Sequence, residues 1–275
     1  MLDREEYIEQ AYCFGVLLQR MRENIPIQQL LATVREEVLS TTKLPMAIDY
    51  LLSELRHSGI MSSAMSALSH YFSAFQTYII TEAEREGGRF DMWVGLDVLR
   101  QEAAYRAEGC TPQGIFLYQF ETLCRNRLRY DKGLEAMAAD PSFDEGWQQW
   151  ILTVRQQIGL IDIADMIYVR SQHYQSRQAS RAGKAPEPER PVLFGEKEGK
   201  IALANRQKDP LLLLAALQRQ LGYPQVPRPR PQDQAGEMVP LLVRQVERLE
   251  TRIKLLEEEQ RGGIDLNKSY GPEPD

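Results

Sequence analysis

Glu54 and His57 stand three positions apart in Glu54-Leu-Arg-His57. On a helix that spacing puts a carboxylate and an imidazole on one face, where the two can share a metal ion. Iron or manganese would suit such an oxygen and nitrogen pair. With only three histidines in the chain, a second pair of this kind is missing, because Ala67 precedes His70 and Arg170 precedes His173 at the same spacing. Glu82, Glu102 and Glu121 are the further oxygen donors that a bound metal would call on. The competing reading is an ordinary polar pair near a helix end at Gly59, in a chain that needs no cofactor.

Other reactive patterns are weaker. Gly195-Glu-Lys-Glu-Gly199-Lys200 has three residues between its glycines and Ile201 after its lysine, whereas a phosphate loop needs four and then Ser or Thr, so it reads as a turn. Gly-x-Ser-x-Gly elbows and dinucleotide-binding glycine fingerprints are missing. Cys13, Cys110 and Cys124 include no Cys-x-x-Cys pair, so neither a zinc module nor a disulfide framework is expected, and Cys124 reads as a buried thiol. The Glu-x-x-His pair resembles half of the di-iron motif of ferritin-like bundles, which implies an all-helical metal-dependent oxidase as one alternative function.

Composition bounds the partners. The 275 residues are 43% hydrophobic and 26% charged with a net charge of −6, which fits a soluble globular chain and disfavours nucleic acid or an anionic membrane as ligand. The acidic start, MLDREEYIEQ, lacks a signal pattern, and no apolar run approaches the ~18 residues of a membrane span, so a cytoplasmic protein is expected. Arg125, Arg127, Arg129 and Lys132 form the densest basic cluster. They fall at the end of a predicted helix, where cations complement free carbonyls, although a small anion could use the same side chains. Arg228 and Arg230, set between prolines, belong to an inert spacer or guide docking onto an acidic groove.

The positioning elements read as all-α. Apolar residues recur every three or four positions over 1–182, which predicts a bundle of seven to nine helices. Asp3 with Glu6 suggests a capping box, and Tyr7, Ala11, Phe14, Leu18 and Met21 give the first helix its stripe. Pro26 and Pro45 start the second and third helices, and Gly59 stops the third. Thr111-Pro112, Asp140-Pro141 and Asp209-Pro210 each combine a capping side chain with a first-turn proline. Further helices are predicted over 71–86, 91–108, 112–130, 141–158 and 161–182. Trp93, Trp147, Trp150, Tyr105, Phe116, Tyr118 and Phe120 read as core, with a small-molecule pocket in a helical binding module as the alternative.

Beyond the bundle, prolines and glycines make 183–206 a predicted linker. Residues 207–222 form a capped apolar helix whose Leu211, Leu212, Leu213, Leu214, Leu217 and Leu221 need a covering surface, on the bundle or on a protein partner. A stiff proline-rich spacer follows at 223–236. Residues 237–261 then carry a heptad, with Val239, Val246 and Ile253 at a and Leu242, Leu249 and Leu256 at d, and 262–275 is a loose tail. β-Branched residues at a with leucine at d favour a parallel dimer. Arg252-Ile-Lys-Leu-Leu-Glu257 instead resembles the Arg-to-Glu motif of short trimeric coiled coils, which implies a trimer with Arg252 and Glu257 packed over the seam. An antiparallel return onto the bundle is the intramolecular alternative.

Phe194 to Tyr223, FGEKEGKIALANRQKDPLLLLAALQRQLGY, resembles a block of a bacterial helical protein family of unknown function, which implies a bacterial cytoplasmic protein and no activity. The function expected from the whole reading is non-enzymatic: an interaction or scaffold protein that self-associates as a dimer or trimer through its C-terminal helix.

Overall fold

The computed structural model describes residues 2–21, 25–85, 88, 90–182 and 191–229, all within the unit that ends at Pro229. Thirteen helices and no strand run through them. Helices α1 (Arg4–Arg20), α2 (Ile27–Glu37), α3 (Leu44–Ser58), α4 (Met61–Ala67) and α5 (Ala74–Glu84) lead to the central pair α6 (Met92–Ala107) and α7 (Pro112–Asn126). After them come α8 (Tyr130–Ala138), α9 (Glu145–Gln157), α10 (Ile163–Val169), α11 (Gln172–Ala182), α12 (Glu196–Ala204) and α13 (Pro210–Leu221).

Much of the expected punctuation is present. Gly59 ends α3 at φ 72°, the left-handed conformation that glycine adopts without a Cβ clash. The Thr111 side chain accepts from the Gly114 amide at 3.1 Å, and that of Asp209 from the Leu211 amide at 2.8 Å. Two expected helix caps are not formed. Asp3 begins α1 without a side-chain bond. Its supposed partner Glu6 is buried and accepts instead from the Lys43 amide (2.8 Å) and the Tyr71 hydroxyl (3.0 Å), because a buried carboxylate must find donors wherever the tertiary fold supplies them. Asp140 accepts from the Ser142 amide at 2.9 Å and from Arg106 but caps a turn and no helix, and α9 starts only at Glu145, with Asp144 as its cap.

The helix expected over 161–182 is broken at 170–171. There the chain 193–194 returns alongside: the Leu193 and Phe194 amides donate to the Arg170 carbonyl, and the Gln172 amide donates to the Phe194 carbonyl at 3.0 Å. Of the predicted linker over 183–206, residues 183–190 lie outside the described residues, and the rest needs correcting, since Glu196–Ala204 is helical and Phe194 is buried. Gly199 permits that packing, as a Cβ there would collide with Ser171 and His173. The glycines that suggested a turn thus serve a close approach of helix α12.

The core is aromatic on this side. Phe116 packs at a tilt 4.8 Å from Trp150, and Phe194 lies 5.2 Å from both Trp147 and Trp150, measured between ring centroids. Trp147, Trp150, Phe116, Tyr118 and Phe120 are buried, while Trp93 and Tyr105 pack half-buried at its edge. The start of the predicted spacer is also part of this body, because Tyr223 and Val226 are buried and the Asn126 amide holds the Pro227 carbonyl at 3.2 Å.

Candidate functional site

Glu54 and His57 lie on the last two turns of α3, the first half-buried and the second exposed. The glutamates named as further oxygen donors are each engaged elsewhere. Glu82 pairs with Arg129, Glu102 with Arg106 and Glu121 with Arg125. Among the described residues, no group of three or more His, Cys, Asp and Glu side chains is placed to hold a metal. His173 bonds to Glu196 at 2.8 Å, and that bond, with help from Lys200 at 3.2 Å, holds the Glu196 carboxyl below its ordinary value. Burial pushes the Cys124 thiol up to about 11 and that of Cys13 up to about 12, so neither supplies a thiolate at neutral pH.

The strongest buried electrostatic centre is Arg106. Its guanidinium donates to Glu102 at 2.8 Å, to Asp140, and to the Ser142 hydroxyl at 2.6 Å. Gln119 donates to Glu102 at 2.8 Å and to Asp140 at 3.1 Å. Burial raises the Glu102 carboxyl above its ordinary value in spite of Arg106. Asp140 is buried too, yet Arg106 and the Ser142 amide keep its carboxyl below the usual range. This centre ties α6 and α7 to the turn before α9, and its geometry is that of a structural clamp.

A different face is open to solvent. A groove of about 530 Å³ is lined by Phe120, Tyr130, Leu160, Ile161 and Leu211. Leu160 is 86% exposed at the tip of a tight turn, where its amide donates to the Gln157 carbonyl at 2.9 Å and Gly159 adopts φ 87°. Next to Leu211, Leu212 is 56% exposed. The six leucines expected to dock thus divide. Leu213, Leu214 and Leu217 are buried in this chain's own core, and Leu221 packs half-buried against it. Leu211 and Leu212 remain on the surface. The sequence carries a signal for Leu160: in Gly159-Leu160-Ile161 a large apolar residue directly follows a turn glycine, between the predicted helices over 141–158 and 161–182.

Val239, Leu242, Val246, Leu249, Arg252, Ile253, Leu256 and Glu257 lie outside the described residues, as do 230–238 and the tail. Among the described helices, none is long and apolar enough to cross a membrane. No family model matches the chain, and no curated protein or solved structure is detectably similar to it. Residue roles therefore follow from geometry and chemistry alone.

Proposed function

We propose that this chain is a non-enzymatic interaction protein, whose helical body presents an apolar groove to a protein partner and whose residues 237–261 set the number of bodies in the assembly. The observation that carries the reading is the exposed rim of Leu160, Ile161 and Leu211 around one groove, with Leu212 exposed beside it on α13. Turn geometry at 157–161 needs glycine but not leucine at its tip, and α13 is already anchored through Leu213, Leu214 and Leu217. Leaving large apolar side chains in water forgoes ~1.5–3 kcal/mol of burial for each, and grouped exposure of this kind marks contact surfaces. The matching occupant is an apolar helix face, which fills a groove with side chains at three- and four-residue spacing.

Two results test this reading. Removing residues 237–275 is expected to reduce the native mass from dimer or trimer to monomer, while thermal unfolding of the body stays unchanged. A monomeric full-length protein across a wide concentration range would sink the assembly role. The double variant L160D/L211D is expected to change folding stability by about 1 kcal/mol or less, since both side chains are exposed. A protein retained by the immobilised wild type should be lost from that variant. Equal retention by both would show that the rim is not the contact surface.

A further inference from the structure

A second groove, of about 730 Å³, gathers Arg125, Arg219 and Arg228 from three separate elements. Arg125 stands in the last turn of α7 and Arg219 in the last turn of α13. A cation near a helix C-terminus complements free carbonyls, and that explains each of these two singly. It does not explain Arg228, which lies on extended chain and reaches the same groove because Val226 and Pro227 are buried and Asn126 holds the Pro227 carbonyl.

The charges in this groove do not cancel. Glu121 is its one acidic side chain among the described residues, and both carboxylate oxygens are occupied, one by Arg125 and the other by the Tyr223 hydroxyl at 2.7 Å. Arg125 meets it through Nε alone. Arg219 and Arg228 are exposed and form no ion pair with the described residues. Two guanidiniums with no ion pair among the described residues thus face one groove of a chain whose net charge is −6. Gln101 and Gln225 add amide donors to the same walls.

We infer that this groove binds a small polyanion bearing phosphate or carboxylate groups. Planar guanidiniums donate in pairs to such oxyanions, and their positions on three elements suit a ligand with more than one anionic group. The volume lies within the range of small-molecule sites and exceeds what a single phosphate needs. The apolar rim and the C-terminal helix play no part in this inference.

Calorimetric titration of the full-length protein with inorganic tripolyphosphate, and separately with citrate, tests it at roughly 50 mM salt, where screening is modest. Saturable binding of at least one is expected, and the tighter of the two identifies phosphate or carboxylate as the recognised group. The double variant R219Q/R228Q should weaken that binding by about tenfold or more. R56Q/R177Q removes the same charge from exposed arginines on α3 and α11 and should leave it unchanged. Absence of binding by both probes overturns the inference, as does equal weakening in the two double variants, which would indicate attraction to net charge alone.

Discussion

Asp140→Asn is expected to lower the unfolding free energy by about 3–5 kcal/mol in denaturant titrations, whereas Glu102→Gln should change it by less than about 1 kcal/mol. The contrast follows from the arithmetic of the Arg106 centre, where two fully buried carboxylates surround one guanidinium side chain that is 2% exposed. One of them is electrostatically in excess. Burial pushes Glu102 toward its protonated form, and a glutamine amide oxygen can accept the same bonds from Arg106 and Gln119. Asparagine at 140 keeps the shape but leaves the buried guanidinium facing only Glu102, whose own burial disfavours ionisation. Adding Arg106→Met to Asp140→Asn should then restore part of the loss. A double variant no more stable than Asp140→Asn would show that packing at the turn, and not the lone charge, dominates.

The same centre fixes opposite pH responses. Asp140 has a lowered carboxyl pKa in the folded protein, so its contribution is full above the unfolded carboxylate range and is lost as pH falls through the folded value. Glu102 has a raised one, so it favours folding below the unfolded value, and that contribution is lost as pH rises through the folded value. Glu102→Gln should therefore gain on the wild type as pH rises above the ordinary carboxylate range. The deficit of Asp140→Asn should shrink only in more acidic solution, once the wild-type Asp140 also protonates.

Local signals were legible wherever one short stretch contained the whole physical cause. Pro45 and Gly59 delimit α3, and Thr111-Pro112 and Asp209-Pro210 begin α7 and α13, because a cap needs only neighbours. The all-helical class was legible for the same reason. Asp140-Pro141 carried the same local signal, and Asp140 does accept from the Ser142 amide at 2.9 Å, but its carboxylate also holds Arg106, 34 residues earlier, and no helix follows until Asp144. Helices α4 and α8, of seven and nine residues, were missed because so short a segment shows barely two turns of periodicity. The grooves were invisible for a different reason. Leu160 and Leu211, or Arg125 and Arg228, meet only after the chain from 191 to 228 has folded back on α7, α10 and α11. The leucines of α13 show the limit most clearly: periodicity showed that they need a cover, but only the tertiary fold assigns Leu213, Leu214 and Leu217 to the chain's own core and Leu211 and Leu212 to solvent.

Phe194→Ala is expected to destabilise the body by about 3–5 kcal/mol, the loss associated with truncating a buried aromatic ring. Phe194 is 1% exposed and contacts Phe116, Trp147 and Trp150 at ring-centroid distances of 6.4, 5.2 and 5.2 Å. Unfolding followed by tryptophan fluorescence reads the site directly, because two of its three ring partners are tryptophans. Phe194→Leu keeps most of the apolar volume and should cost less than half as much. If 191–226 were a detachable appendage, both variants would unfold at the wild-type midpoint. Ring packing argues otherwise, and the backbone agrees, since the bonds from Leu193 and Phe194 to Arg170 separate α10 from α11. A chain ending at 182 would expose Trp147, Trp150 and Phe116 along the wall that Phe194 now covers. It is therefore expected to aggregate where the chain ending at 236 stays folded, and sedimentation of the two truncations side by side decides where the domain ends.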